Sequence, residues 1–171
     1  MMLFDSEKSK FETLVKAYSP ELYRYAYWQC RDRFLAEDLV QETFARAWQA
    51  WDKLRDDKAA KSWLYTILRN EHARLFERKR VEIDDGQELN DIVDTASSSV
   101  YDQLEMRDAL KALPASYREP LLLQVLGGFS CAEIAGMMEI SEGAVMTRLT
   151  RARLALRKMP GLNAGRRMKA R

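Results

Sequence analysis

The stretch SCAEIAGMMEISEGAVMTRLTRAR, residues 130–153, decides the fold of this chain. Ser130, followed three residues later by Glu133, has the pattern of a capping box, in which the two side chains satisfy backbone amides at a helix start. Ser141 is placed to cap a second helix. Because only GMMEIS, residues 136–141, separates the two, the sequence predicts two short helices that meet at a tight corner.

The second helix of this pair has an apolar side and a basic side. The apolar side repeats at helical spacing and is expected to face the core, with Val145, Leu149, Ala152 and Leu156. The other side and its flank suit the major groove of DNA, because Ala and Thr permit close approach while Arg pairs with guanine or phosphate. We therefore predict DNA contacts by Ala144, Thr147, Arg148, Thr150 and Arg151. The alternative is an ordinary basic face exposed to solvent. DNA binding is favoured because the serine cap, the tight corner, the apolar stripe and the one-sided positive charge all occur in the same helix pair.

The rest of the chain is predicted to be helical as well, so the expected fold class is all-α. Only 4 prolines and 7 glycines occur among 171 residues, and the alternating pattern of strands is missing. A helix beginning near Phe11 is expected to end before Pro20, and another to begin at Leu22. Further helices are predicted over residues 34–51, 59–80, 100–113 and 116–128.

An acidic segment separates two basic parts of the chain. Residues 81–106 carry eight acidic and no basic side chains, although the net charge of the whole chain is only +2. Because this serine-rich segment cannot bury much apolar surface, it is predicted to be a flexible linker. We expect a helical domain over 1–80, the linker over 81–103, a helix-turn-helix domain over 104–160 and a basic tail over 161–171. The asymmetry suggests an anionic partner for each basic part.

The sequence offers no support for enzyme chemistry or metal binding. Its one histidine, His72, has no serine or cysteine motif near it, and no glycine-rich phosphate loop is present. Cys30 and Cys131 are about a hundred residues apart and form no metal-ligand cluster. We therefore predict no catalytic residue, no metal and no cofactor. No signal-peptide core and no long apolar run is visible, which predicts a cytoplasmic protein.

Two surfaces of the first domain carry a weaker signal. Residues 62–80 mix aromatic rings, which stack on unpaired bases, with cations that follow a phosphate backbone, although core rings beside solvated charges explain the pattern equally well. Acidic and amide side chains share one face of residues 36–48, namely Glu37, Asp38, Gln41 and Glu42. Such a face suits a basic protein surface, but the residues alone favour an ordinary solvated face.

Three segments, in this order and with these gaps, resemble the successive signatures of bacterial RNA polymerase sigma factors. They are AEDLVQETFARAW at residues 36–48, WLYTILRN at 63–70 and LPASYREPLLLQVLGGFSCAEIAGMMEISEGAVMTRLTRAR at 113–153. The short, two-domain form resembles the extracytoplasmic-function (ECF) group of the sigma-70 family. The resemblance implies two small helical domains, one like sigma region 2 and one like the helix-turn-helix of sigma region 4.

The resemblance also implies roles for these surfaces. The first signature implies contacts with the polymerase clamp by Asp38, Gln41 and Glu42. The second implies recognition and opening of the minus-10 element by Arg69, Asn70, Arg74, Arg78 and Lys79. The third implies that the predicted DNA contacts of the helix-turn-helix read the minus-35 element. Met146 departs from the pattern, since relatives often have a basic residue there, and we expect weaker phosphate binding or an altered minus-35 preference.

Partners and regulation follow from the same resemblance. Core RNA polymerase, through its clamp and flap, and promoter DNA are the expected partners, and polymerase performs the catalysis. Members of the group are commonly held inactive by an anti-sigma factor, so the chain is expected in the cytoplasm or held at the inner membrane face without inserting. A stand-alone repressor or activator stays open, although the sequence shows no dimer seam. A module that binds polymerase without reading DNA also stays open.

Overall fold

A computed structural model describes the backbone of residues 2–83 and 100–159 and the side chains of residues 5–78 and 106–159. In these stretches every regular element is a helix. The chain divides into two compact units, Met1–Leu89 and Asn90–Arg171. The N-terminal unit contains α1 (Met2–Cys30), α2 (Arg33–Gln49) and α3 (Ala60–Ile83), with short 3-10 turns at Trp51–Lys53 and Asp57–Ala59. The C-terminal unit contains α4 (Val100–Ala112), α5 (Ala115–Val125), α6 (Cys131–Met138) and α7 (Glu142–Lys158).

The first helix corrects an expectation from the sequence. α1 continues through Pro20, where we expected one helix to end and another to begin. A proline inside a helix removes one backbone hydrogen bond and crowds the preceding turn. Contacts on both sides of Pro20 outweigh this cost. Before it, the ring centroids of Phe11 and Trp48 lie 5.0 Å apart, and after it, Tyr25 is fully buried. Tertiary packing of one continuous apolar face therefore prevails over the local signal for a break.

The core of the N-terminal unit lies between its three helices and contains two tyrosines. The rings of Tyr25 and Tyr65 meet edge to face with centroids 5.1 Å apart. The hydroxyl of Tyr65 donates a hydrogen bond of 2.9 Å to Glu21, whose carboxylate also lies 2.8 Å from the ammonium of Lys61. Burial, and then the bond to this carboxylate, raise the pKa of the Tyr65 phenol well above its ordinary value. The polar end of the buried ring is thus satisfied by a charged pair.

The core of the C-terminal unit is mainly aliphatic, with the buried ring of Phe129 beside it. It contains the buried side chains of Leu121, Leu122, Leu123, Ile134, Met137, Val145, Leu149 and Ala152. Two glycines let the chain pass from α5 to α6. A Cβ on Gly127 would lie 2.6 Å from the carbonyl oxygen of Leu123, and Gly128 has a φ of +69°, which glycine adopts without strain. The helix predicted over residues 116–128 is present, but it ends at Val125, just before these glycines.

Helical backbone extends into both ends of the predicted linker. α3 ends at Ile83 and α4 begins at Val100, whereas we had expected a linker over residues 81–103. The remainder of the predicted linker and the predicted basic tail over 161–171 lie outside the described residues. The domain boundaries therefore stay a prediction.

Candidate nucleic-acid and polymerase interfaces

Two serine caps hold the corner between α6 and α7. The hydroxyl of Ser130 accepts a hydrogen bond of 3.2 Å from the amide of Glu133, whose carboxylate accepts one of 2.8 Å from the amide of Ser130. Glu139 ends α6 in the left-handed region with a φ of 56°. The hydroxyl of Ser141 then accepts a bond of 3.1 Å from the amide of Ala144. Both caps predicted from the sequence are confirmed, and they fix the angle at which α7 leaves the corner.

The helix α7 separates an apolar face from a polar one, as its sequence predicted. Thr147, Thr150 and Arg151 are exposed, whereas Ala144 and Arg148 are half-buried on the flank. The hydroxyls of the two threonines donate to backbone carbonyls one turn earlier, at 3.0 and 2.9 Å. Their hydroxyl protons are therefore used within the helix, which leaves the lone pairs of each oxygen as acceptors. Such a surface suits the amino and methyl groups of base edges.

Two side chains from α5 reach the arginines of α7. The guanidinium of Arg151 donates to the hydroxyl of Tyr117 at 3.4 Å. Arg153 donates to the side-chain oxygen of Gln124. These partners are 34 and 29 residues away along the chain, so helical spacing carried no signal for them. Sequence reasoning therefore missed Tyr117 and Gln124, which hold α7 against α5 beside its polar face.

On α2, the structure brings the three predicted polymerase contacts to one exposed face. Asp38, Gln41 and Glu42 are all exposed, and the carboxylate of Glu42 lies 2.8 Å from the guanidinium of Arg46 one turn later. Phe34 stands one turn before Asp38 and is 75% exposed. An exposed ring beside carboxylates and an amide is typical of a protein-binding surface rather than of one that meets phosphates.

On α3, the predicted minus-10 residues divide into two groups. Asn70, Arg74 and Arg78 recur every four residues and are exposed, so they form one row along the helix. Arg69 is half-buried and lies off this row. Lys79 belongs to α3, but its side chain lies outside the described residues. The structure therefore brings three of the five together.

A set of ion pairs connects the α2 face with the α3 row. Glu71, whose side chain is only 10% exposed, lies 2.9 Å from Arg74 on α3 and 3.5 Å from Arg46 on α2. Arg46 also contacts Glu42, so four alternating charges run from one predicted interface to the other. The local pattern of the sequence did not indicate this set as a whole, because its central pair, Arg46 with Glu71, joins two different helices.

The described stretches of the chain show neither a metal site nor a membrane-spanning helix. There, no group of three or more histidine, cysteine, aspartate or glutamate side chains is placed to hold a metal ion. None of the described helices combines the length and the apolar character that crossing a bilayer requires.

Comparison with known proteins identifies the family. The family model for Sigma-70 region 2 matches residues 14–82, and that for Sigma-70, region 4 matches residues 103–156. The ECF RNA polymerase sigma factor SigL of Mycobacterium tuberculosis is 33% identical over 160 residues, which cover 89% of each chain. The chain belongs to the sigma-70 family and its ECF group. This sigma factor is therefore a transcription initiation factor and not an enzyme, as the sequence predicted.

Other relatives and solved structures agree with this membership. The ECF sigma factor BldN of Streptomyces coelicolor is 34% identical over 154 residues, covering 85% of this chain but only 58% of BldN. The structure of the sigma factor RpoE of Bartonella quintana, in complex with the anti-sigma factor NepR, aligns with a TM-score of 0.79 at 29% identity, covering 88% of this chain and 96% of that one. The predicted all-α fold with region 2 and region 4 domains is confirmed.

Proposed function

We propose that this sigma factor binds core RNA polymerase through the exposed face of α2, reads the minus-10 element with α3 and reads the minus-35 element with α7. Promoter-specific initiation results because polymerase carries both readers to one DNA molecule. Asp38, Gln41 and Glu42 are the clamp contacts. The minus-10 contacts are Arg69, Asn70, Arg74, Arg78 and Lys79, and the minus-35 contacts are Ala144, Thr147, Arg148, Thr150 and Arg151.

The two-sided character of α7 is the observation that carries this proposal. Val145, Leu149 and Ala152 are buried, so the opposite side of the same helix, with Thr147 and Arg151, is directed away from the core. Capped starts on both helices hold that side in place. A helix of this kind, braced by a second helix, enters the major groove with its N-terminal residues toward the bases.

Regulation by an anti-sigma factor is the second part of the proposal. It is supported by the likeness to RpoE of Bartonella quintana, whose structure contains the anti-sigma factor NepR. An inhibitor that covers the α2 face or the α7 face would prevent assembly with polymerase or DNA. We propose that the chain acts in the cytoplasm and that an anti-sigma factor holds it there or at the inner membrane face.

Reconstitution tests the central proposal. The full chain is mixed with core RNA polymerase and a pool of duplex templates randomised over the minus-35 and minus-10 positions, and the transcribed templates are sequenced. Transcripts enriched for two sequence elements at a constant spacing are expected. Tight DNA binding without polymerase and without transcripts would support a stand-alone regulator instead. Polymerase binding without enrichment would leave only an interaction module.

Charge reversal tests the assignment of the α2 face. Changing Asp38 and Glu42 to lysine should weaken binding to core polymerase, measured by fluorescence anisotropy of labelled chain, because a basic partner surface would then be repelled. Joint reversal of Asp52 and Asp57, two exposed acids outside this face, makes the same change of charge and serves as the matched control, which should bind as the wild type does. Equal polymerase affinity for the wild type and the α2 variant would remove this face from the interface.

A further inference from the structure

The carboxylate of Glu71 holds two arginines with a single oxygen atom. Its Oε1 lies 2.9 Å from Nη1 of Arg74 on the same helix and 3.5 Å from Nε of Arg46 on α2. The glutamate side chain is 10% exposed, whereas the two arginine side chains are 55% and 46% exposed. A nearly buried anion is therefore fixed beneath two cations that face solvent.

Burial gives this ion pair more importance than an ordinary surface pair. An exposed pair contributes little, because water and salt screen it and both side chains lose freedom. A carboxylate removed from water needs its cationic partners, since leaving it alone would cost far more. Arg74 is consequently restrained at the surface of α3 before any ligand arrives, in the same row as Asn70 and Arg78.

We propose that Glu71 is a positioning residue for the minus-10 contact: it holds the guanidinium of Arg74 toward DNA, while Arg46 secures Glu71 from α2. The inference rests on the proposed function, in which Arg74 contacts the melted minus-10 strand. A side chain that is already oriented loses less conformational freedom on binding and binds more tightly. Glu71 itself need not touch DNA.

The charge of Glu71 makes the two explanations predict opposite changes in DNA affinity. An acid next to a DNA-binding row repels phosphates, so if charge were its only effect, its neutralisation would tighten DNA binding. If Glu71 positions Arg74, neutralisation weakens binding even though the surface becomes more positive. Glu77, an exposed acid on the same helix, is the matched control, because Glu77→Gln makes the same change of charge.

The test uses holoenzyme assembled from the full chain and core RNA polymerase. The probe is a forked promoter fragment with a single-stranded minus-10 region, chosen by the wild-type holoenzyme from a randomised pool. Glu71→Gln should weaken probe binding about three- to tenfold, part of the loss expected for Arg74→Ala, whereas Glu77→Gln should leave it unchanged or tighten it. In an Arg74→Ala background, Glu71→Gln should cause no further weakening. The slope of the logarithm of the binding constant against the logarithm of salt concentration reports phosphate contacts. Arg74→Ala should reduce the magnitude of this slope by about 0.7, and Glu71→Gln should change it in the same direction.

Each outcome either supports or overturns the inference. Equal or tighter binding by Glu71→Gln overturns it, and so does a weakening that persists without Arg74.

Circular dichroism shows whether the variant is folded at the assay temperature. If it is not, Glu71→Asp carries the test with Glu77→Asp as control, because the charge is kept and only the reach is shortened: weaker binding supports positioning, and wild-type binding overturns it. A wild-type holoenzyme that selects no sequence contradicts the proposed function, and this inference falls with it.

Discussion

The two units of this sigma factor hold their proposed DNA-binding side chains by different means. In the C-terminal unit, α6 and α7 begin at serine caps, and α7 carries its buried stripe and its polar face within 17 residues. In the N-terminal unit, long helices exchange contacts across the core, as in the pair Tyr25–Tyr65 and the shared carboxylate of Glu71. The serine cap thus fixes where α7 begins from residues close in sequence, and contacts with α5 then hold the helix in place. The row on α3, in contrast, depends on an ion pair that reaches α2.

The largest expected effect tests whether the buried stripe of α7 stabilises its unit. Leu149 is 2% exposed, so Leu149→Ala should lower the free energy of unfolding by about 2–5 kcal/mol, through lost burial and the cavity left behind. Urea unfolding followed by circular dichroism measures the loss. Leu154→Ala on the same helix is the control, and because Leu154 is 48% exposed we expect little change.

Tryptophan fluorescence sharpens this comparison. All four tryptophans occur in the first 63 residues, so their emission monitors the N-terminal unit. For Leu149→Ala, the fluorescence transition should stay near that of the wild type while the dichroism transition shifts. An equal shift in both transitions would mean that the two units unfold together. The two units would then differ in their local contacts but not in their stability.

The second effect concerns DNA reading by α7. Arg151→Ala should weaken minus-35 binding by about 1–3 kcal/mol and relax the preference at one base pair, if the guanidinium makes a bidentate base contact. Holoenzyme binding to promoters with single minus-35 substitutions measures both quantities. Lys158→Ala removes an equal charge from the last turn of α7 and should weaken all these promoters uniformly. An unchanged base preference for Arg151→Ala would remove Arg151 from the set of base contacts.

The third effect tests the cross-helix bonds of the N-terminal unit. Tyr65→Phe removes the hydroxyl that donates to Glu21 and should lower the free energy of unfolding by about 1.5 kcal/mol, as expected for a hydrogen bond to a charged group. Urea unfolding followed by tryptophan fluorescence is the measurement. Tyr23→Phe, which changes a half-buried tyrosine of α1, is the matched control. Equal losses for the two variants would contradict a specific role of this bond.

The same variant carries a pH signature. Because the pKa of Tyr65 is raised in the folded protein, its contribution is fully present below the ordinary tyrosine pKa of about 10 and is lost as pH rises above that value. The unfolded chain ionises there while the buried phenol stays neutral. Between pH 8 and pH 11, the melting temperature of the wild type should therefore fall more than that of Tyr65→Phe. Parallel falls would contradict the raised pKa.

The smallest effect tests the serine cap at the start of α6. Ser130→Ala removes one half of the capping box and should lower the free energy of unfolding by about 1 kcal/mol. Ser116→Ala, which changes an exposed serine inside α5, should have almost no effect. If thermal melting followed by circular dichroism gave the two variants the same stability, the cap would not be a determinant of the helix-turn-helix corner.

Prediction from the sequence succeeded where neighbouring residues act on one another. The capping box of Ser130 and Glu133 and the buried stripe of Val145 and Leu149 were predicted, because both depend on spacings within one or two turns. The polymerase and minus-10 contacts rest on the family resemblance, whereas the DNA contacts of α7 rest on the two-sided pattern of that helix. All these assignments stay proposals. The expected break at Pro20 was wrong, because a local rule could not weigh the distant rings that hold α1 together.

The sequence by itself determined the helix-turn-helix and the charge of its outer face. Helix caps, turn glycines and the helical spacing of the apolar residues of α7 each act over a few residues, so a local pattern records them. Tertiary structure alone decided the continuity of α1, the contact of Tyr117 with Arg151 and the position of Glu71 between two arginines. These features join residues far apart in the chain. The free energy of these contacts comes from burial and from charges that come together only when the helices pack. No local pattern of residues records such contacts.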